Sequence, residues 1–345
     1  MASGLRVLFV TNLWPDADRP WRGTFVHNQA EGLRALGLGV DVFPIPGYLS
    51  DLEYLKASRR VLGLNRRSRY DVVHAHVGQS ALVARLQVRA PLVISYHGSD
   101  LLGKPTETGP PTPRSRVEAR VYRQLARVAS ATITMSSAMT EVLPPSCRAR
   151  NHVIPTGVDL DRFRPQDKGA LRARLGWDAD QPVVLWVGDP EVALKNFGLA
   201  KATAERIDAA ARLRVATGVH PRDVPAWLAA ADVLLLTSRS EGSPTVVKEA
   251  MASELAVVST DVGDVAERIV GLPGCAVTGE DACALAGAVR VALAHGPVPE
   301  ARTRIGATHS EQITAARIAG LYAQVVGGKG RHARGAATGP SGAAG

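Results

Sequence analysis

Short apolar runs alternate along this chain with stretches in which apolar residues recur every three or four positions. Residues 5–10, LRVLFV, form a near-continuous apolar run of the kind carried by a strand buried on both faces. VDVFPI (40–45), DVVHAH (71–76), PLVISYHG (91–98) and ATITMS (131–136) repeat it. Between them, FVHNQAEGLRALG (25–37), ALVARLQ (81–87) and VEARVYRQLARVAS (117–130) have helical periodicity, the first stopping at Gly37. The segment NHVIPTGVDLDRFRP (151–165), rich in Pro, Gly and Asp, reads as a hinge. The pattern then restarts with QPVVLWVG (181–188), LRVATG (213–218), DVLLLT (232–237) and LAVVST (255–260).

Strands alternating with helices predict a parallel sheet covered on both faces. Two such series in succession predict an α/β chain of two Rossmann-like, doubly wound domains. Ligands of such sheets bind beyond the carboxyl ends of the strands, so two facing domains make a cleft. The expected division is an N-terminal domain over 1–158, a C-terminal domain over 159–326 and a disordered tail over 327–345, where large apolar residues nearly vanish. Residues 105–116, PTETGPPTPRSR, read as a mobile loop.

Composition narrows the class. At 345 residues the chain is long enough for two cores. No run of about 18 apolar residues marks a transmembrane helix, and the start, MASGLRVLFVTNLW, lacks the long apolar stretch of a cleaved leader. The three cysteines, Cys147, Cys275 and Cys283, are odd in number and have no metal-ligand spacing; they read as reduced thiols, so the expected location is cytoplasmic. No G-x-G-x-x-G follows the first strand, which argues against a dehydrogenase.

The net charge of +9 is uneven: residues 1–160 hold 20 Lys and Arg against 12 Asp and Glu, the remainder 21 against 20. A basic first half suits an acidic partner, either a phosphate-bearing acceptor or the anionic inner face of a membrane; an arginine-rich background explains it equally. Lys56, Arg59, Arg60, Arg66, Arg67 and Arg69 crowd one window with Leu55, Val61, Leu62 and Leu64 among them. One expectation is a segment lying flat on the membrane, apolar side inserted; the other is a solvated helix weakened at Gly63. No nucleic-acid partner is expected.

The chemistry concentrates in residues 232–264, DVLLLTSRSEGSPTVVKEAMASELAVVSTDVGD. A strand ends near Thr237, a polar loop follows, and a helix begins with Ser243 as candidate cap and Pro244 as first residue. The free N–H groups and positive dipole end of that helix favour a diphosphate, and Gly242 allows close backbone approach. Glu241 precedes the helix, and Glu249 lies about 7 Å along it. Two carboxylates straddling an anion site suit hydroxyl groups on either side, a sugar at one end and a ribose at the other.

Two glutamates with seven residues between them in the context SEGSPTVVKEAMA resemble the signature of family 4 glycosyltransferases, retaining enzymes of the GT-B fold. The resemblance spans about residues 5–325 and includes GTFVHNQAEGLRALG, YHGSD (96–100), IPTGVDLDRF, VGDPEVALKNF (187–197) and VSTDVGDVAE (258–267). Within the family it is nearest to bacterial cell-surface polysaccharide transferases of the teichuronic-acid type. It implies that Glu241 holds donor-sugar hydroxyls, that Gly242, Ser243 and Pro244 line the sugar, that the amides around Val246 and Val247 hold phosphate, and that Glu249 binds the ribose. By the same resemblance His97 stands close to the transferred sugar, Gly23 belongs to a loop approaching the phosphates from the other domain, and Lys195 neutralises the departing diphosphate. Asp100 either caps the next helix or touches the acceptor; His74 and His76, alternating at a strand end, read as structural.

One position departs from the family. Many members carry arginine after the glycine of the VG segment, where this chain has Asp189; Arg22, Arg239 and Lys248 are the candidates to supply the missing charge. Asp16/Asp18, Asp159/Asp161 and Asp178/Asp180 look like metal-holding pairs, but none follows a strand in the right setting, and a lysine with a helix start can do the same electrostatic work. No metal and no cofactor is therefore expected beyond the nucleoside diphosphate sugar itself. The implied reaction moves a hexosyl or N-acetylhexosaminyl unit from a UDP-sugar, with a GDP-sugar second, to an acceptor hydroxyl on a saccharide, a lipid-linked saccharide or a small natural product. A GT-B sugar-nucleotide epimerase and a non-catalytic sugar-nucleotide-binding subunit fit the same residues.

Overall fold

The computed structural model describes residues 4–67, 69–87, 89–104, 106, 111–207 and 211–335, without the side chains of 65–67 and 328–335. Among these residues, eleven strands form two separate sheets: β1 (Arg6–Thr11), β2 (Gly39–Pro44), β3 (Val72–His76), β4 (Leu92–Ser95), β5 (Ala131–Thr134), β6 (Asn151–Val153), then β7 (Val183–Val187), β8 (Arg212–Ala216), β9 (Val233–Leu236), β10 (Ala256–Thr260) and β11 (Ala276–Thr278). The first sheet runs β2-β1-β3-β4-β5-β6 and the second β11-β10-β9-β7-β8. Every paired neighbour is parallel. The two domains are thus doubly wound α/β units, the arrangement of the GT-B fold. The central strands β3, β4, β5, β9 and β10 are buried along their whole length, because helices cover both faces.

Strand order reverses direction between β1 and β3 in the first sheet and between β7 and β9 in the second. The loops leaving the carboxyl ends at such a reversal diverge and open a crevice. Lys195 follows β7 and Glu241 follows β9, so both leave the second sheet at its switch point.

Several boundaries differ from expectation. Residues 151–153, inside the expected hinge, are the edge strand β6, and β11 has only three half-buried residues; neither carries enough apolar pattern to stand out. Thr112 accepts a hydrogen bond from the Ser115 amide and starts a helix over Pro113–Leu125, so 113–116 are helical rather than loop; 105 and 107–110 lie outside the described residues. The last helix, Glu311–Gly335, continues past 327, and the rest of the expected tail, 336–345, lies outside the described residues. That helix also returns to the first domain: Ile318, Leu321 and Tyr322 pack into its core, and Asn28 donates to Glu311 at 2.8 Å. The chain therefore crosses between domains twice. The crossings pair with each other, Val158 N–H to the His309 carbonyl at 2.9 Å and Glu311 N–H to the Val158 carbonyl at 3.0 Å.

The basic segment forms a helix over Leu52–Arg67. Val61 is buried and Leu64 packs against the core, so these two cannot insert into a membrane; Leu52, Leu55 and Leu62 face outward instead, with Lys56 and Arg59 exposed beside them. The side chains of Arg66 and Arg67 lie outside the described residues. Among the described residues no single helix is long and apolar enough to cross a membrane.

Candidate donor site between the domains

A cavity of about 360 Å³ opens where the carboxyl ends of the two sheets face each other. Phe25, His97 and Met135 line it from the first domain, Lys195, Glu241 and residues 242–246 from the second, and Thr156 from the crossing. A larger cavity of about 460 Å³ lies against Leu8, Asp71 and Val73. It reaches the amino end of β3, away from the switch points, and holds none of the candidate groups.

Lys195 is delivered by a short turn after β7. Thr237, at the end of β9, fixes that turn: its hydroxyl lies 2.9 Å from the Lys195 carbonyl and accepts the Trp186 indole N–H at 3.0 Å. Lys195 Nζ then reaches Glu241 Oε1 at 2.7 Å, and Ser238 Oγ donates to the same oxygen at 2.8 Å. The lysine and glutamate expected at the diphosphate and at the sugar are thus side by side. Lys195 is the one cationic side chain among the described residues lining this cavity.

The helix begins at Thr245, with Pro244 as its cap residue and no side-chain cap. Ser243 does not cap it: its hydroxyl donates to Asp264 at 2.8 Å and accepts from Lys248 Nζ at 2.9 Å. The Val247 amide is bonded to the Pro244 carbonyl, so Val247, itself buried, has no N–H to offer a phosphate. The amides of Thr245 and Val246 have no acceptor among the described residues and lie at the cavity wall. Glu249, three residues beyond Val246, lies outside the cavity lining, half-buried near Arg162 and Glu311; burial raises its pKa to about 7.

The glycines explain how closely the halves approach. A Cβ on Gly242 would meet the His97 carbonyl at 2.7 Å and the Gly98 Cα at 3.3 Å. Gly23 begins the helix Thr24–Ala35 at φ 65°, and a Cβ there would sit 2.4 Å from the Leu13 backbone. Gly23 itself is not in the cavity wall; the helix it starts places Phe25 there, 4.8 Å from the His97 ring.

His97 lines the cavity just beyond β4, and burial lowers its pKa to about 3, with the Lys248 charge adding to the shift; it is neutral at physiological pH. Asp100 accepts the His97 and Gly98 amides at 3.1 and 3.0 Å on one oxygen and the Gly78 amide at 3.2 Å on the other. Its carboxylate ties the turn that presents His97 and is absent from the cavity lining.

None of the three candidates for the missing charge lines the cavity. Arg22 lies over the Tyr48 ring and donates to the Asn12 carbonyl, and Arg239 pairs with Glu280 at 3.5 Å. Lys248 is fully buried behind the helix start, bridging Thr156 and Ser243 at 2.9 Å each; burial lowers its pKa to about 8 against the pull of Asp264. Asp189 is exposed and accepts the Glu191 amide at 3.0 Å, closing a turn. Phe25, Met135 and Thr156 were not foreseen as cavity residues; only Phe25 had a signal, its place two residues after Gly23 at a helix start.

Comparison with known proteins supplies the context. Residues 2–162 match the model of Glycosyltransferase Family 4, and residues 173–295 match Glycosyl transferases group 1. The chain is 26% identical to the teichuronic acid biosynthesis glycosyltransferase TuaC of Bacillus subtilis, over 76% of this chain and 82% of that one. It is 30% identical to the D-inositol 3-phosphate glycosyltransferase of Geodermatophilus obscurus, over 68% of this chain and 62% of that one. In fold it resembles sucrose-phosphate synthase from Thermosynechococcus elongatus, with a TM-score of 0.79 at 19% identity over 94% of this chain and all of that one. HepE from Anabaena, solved with UDP and glucose, gives a TM-score of 0.69 at 17% identity over 93% of this chain and all of that one.

Proposed function

Since the chain belongs to the family 4 glycosyltransferases, we propose that it transfers a hexosyl or N-acetylhexosaminyl unit from a UDP-sugar, with a GDP-sugar as second choice, to an acceptor hydroxyl, with retention and without a metal ion. The observation that carries this reading is the pairing of Lys195 with Glu241 at the second sheet's switch point, beside the free amides of Thr245 and Val246 and across from His97. The amides and the helix dipole suit the diphosphate, and the Lys195 ammonium adds the full positive charge needed as the leaving group departs. Glu241 Oε1 is held by Lys195 and Ser238, which leaves Oε2 for a sugar hydroxyl. A carboxylate so engaged is a weak nucleophile. This disfavours a covalent glycosyl–enzyme, so the proposed retention calls for attack by the acceptor on the face the diphosphate leaves. Gly242 against Gly98 lets the two backbones approach closely beside the cavity, where closure on a donor would exclude water.

A panel of UDP-, GDP-, ADP- and dTDP-sugars, incubated with the protein in EDTA without acceptor, tests this. The expected result is slow release of UDP from a UDP-sugar. Epimerised donor with no hydrolysis would instead mark an epimerase, and binding with no turnover a non-catalytic subunit. Once an acceptor is found, an inverted anomeric product would contradict retention. We further propose peripheral contact of the first domain with anionic membranes through Leu52, Leu55 and Leu62, flanked by Lys56 and Arg59. Co-sedimentation with phosphatidylglycerol vesicles should fall with salt and with Leu52→Ser/Leu55→Ser; a wild type that stays in the supernatant at low salt contradicts it.

A further inference from the structure

His76 closes β3 one layer behind the cavity and takes no part in the reaction just described. Its ring is buried, facing His74 at 4.3 Å between centroids and Phe9 at 4.7 Å. Its contact with His97 is of another kind. His76 Nδ1 lies 3.3 Å from His97 Nε2, the ring centroids are 5.5 Å apart, and the planes differ by 17°. The centroid separation exceeds the nitrogen separation by about the width of one imidazole, the sum of the two ring radii. That is the largest excess two such rings allow. The nitrogens therefore face each other in the plane of both rings, and the contact is an in-plane N–H···N hydrogen bond rather than a stack.

One of the two nitrogens must carry the proton, and a second observation decides which. His76 Nε2 is buried with no hydrogen-bond partner among the described residues. A neutral imidazole has one N–H and one lone pair. An N–H without an acceptor in an apolar interior is rarer and costlier than a lone pair without a donor. The His76 proton therefore sits on Nδ1 and is donated to His97. His97 Nε2 accepts it, which leaves the His97 proton on Nδ1. That nitrogen has no partner among the described residues, and its ring lines the cavity. The layer beneath is held firm: His74 Nδ1 lies 2.6 Å from Tyr322 Oη, and His74 Nε2 lies 2.7 Å from Ser95 Oγ.

We propose that His76 is a positioning residue: its Nδ1–H sets the tautomer of His97, so that His97 offers the cavity a hydrogen-bond donor and not a basic lone pair. His97 then suits an oxygen of the sugar or of the departing group, and it cannot take the acceptor's proton. The ligand in this statement rests on the proposed function; the tautomer does not.

Long-range ¹H–¹⁵N spectra of the histidine-labelled full chain read the tautomer directly. The expected pattern for His97 is a protonated Nδ1 and a bare Nε2 between pH 6 and 8. A protonated Nε2, or an even mixture, in the wild type overturns the proposal. His76→Phe keeps a ring but removes the donor; it should leave His97 as a mixture and lower kcat/KM for UDP-sugar hydrolysis about tenfold, the worth of one hydrogen bond. His76→Asn places an amide N–H near the lost Nδ1 and should restore the wild-type His97 pattern. A His76→Phe variant with an unchanged His97 spectrum and unchanged turnover also overturns the proposal, because the residue would then act by packing alone. If His76→Phe does not fold, the wild-type spectrum and the Asn variant still decide. UDP titrated into the same samples separates the two readings: no binding by the wild type sinks the donor assignment and leaves the tautomer result standing.

Discussion

Glu249 is a carboxylate whose surroundings disfavour its charge. Burial raises its pKa from 4.5 to about 7; Arg162 and Lys248 oppose this, and Glu311 adds to it. The folded pKa is above the unfolded one, so holding the charged form costs stability, and the cost grows as pH rises from 4.5 to 7. Ribose hydroxyls donating to the carboxylate would offset it. Binding of UDP-glucose, whose diphosphate does not titrate near neutrality, should therefore tighten as pH rises from 5.5 and level off above about 7, with a slope of at most about tenfold per unit. Glu249→Gln should bind weakly and independently of pH. A wild-type Kd that is flat over this range contradicts ribose binding by Glu249. His97 adds no inflection there, since its pKa lies near 3. Lys195 and Glu241, which the structure brings side by side, could be picked out because each sits in the segment directly after a strand; the spacing also picked out Glu249, which lies outside the cavity lining. The roles of Lys248, His76 and Asp100 were not legible, because they rest on contacts across the chain: Lys248 meets Thr156 over 92 positions and His76 meets His97 over 21.

Among the elements, the loop 241–244 and the turn 97–98 meet through glycine. Gly263 completes the layer, at φ 59° with its would-be Cβ 2.9 Å from the Gly242 carbonyl. Three segments from three places in the sequence pack here by backbone alone. Gly242→Ala should force the His97 carbonyl away from the loop. Because the clash lies between domains, the thermal midpoint should move little, while donor hydrolysis falls about 100-fold, the usual consequence of a misplacement near 1 Å. Wild-type turnover in this variant would show that the close approach is dispensable. The long buried strands were readable from apolar runs alone. The edge strands β6 and β11 were not: three half-buried residues each, Asn151 and His152 among them, leave no run to see.

Across the whole molecule, the two sheets are joined by two crossings bonded to each other, and the last helix closes the first domain's core. The expected boundary near 158 falls on the first crossing; the return at 309–311 carried no signal, because a helix shows its apolar face in sequence but not the domain it will cover. Tyr322, its hydroxyl 2.6 Å from His74 Nδ1, ties the last helix to the layer beneath His97. This architecture brings Lys195, Glu241 and the free helix amides to one wall of the cleft, the wall proposed to hold a nucleoside diphosphate sugar. Calorimetric titration of UDP into the wild type, Lys195→Ala and Glu249→Ala, all in EDTA, tests it most directly. One site is expected in the wild type, with at least about tenfold weaker binding in each variant, the loss of one charge-assisted contact. Equal affinity in all three proteins would contradict it, as would a wild type that binds no nucleoside diphosphate.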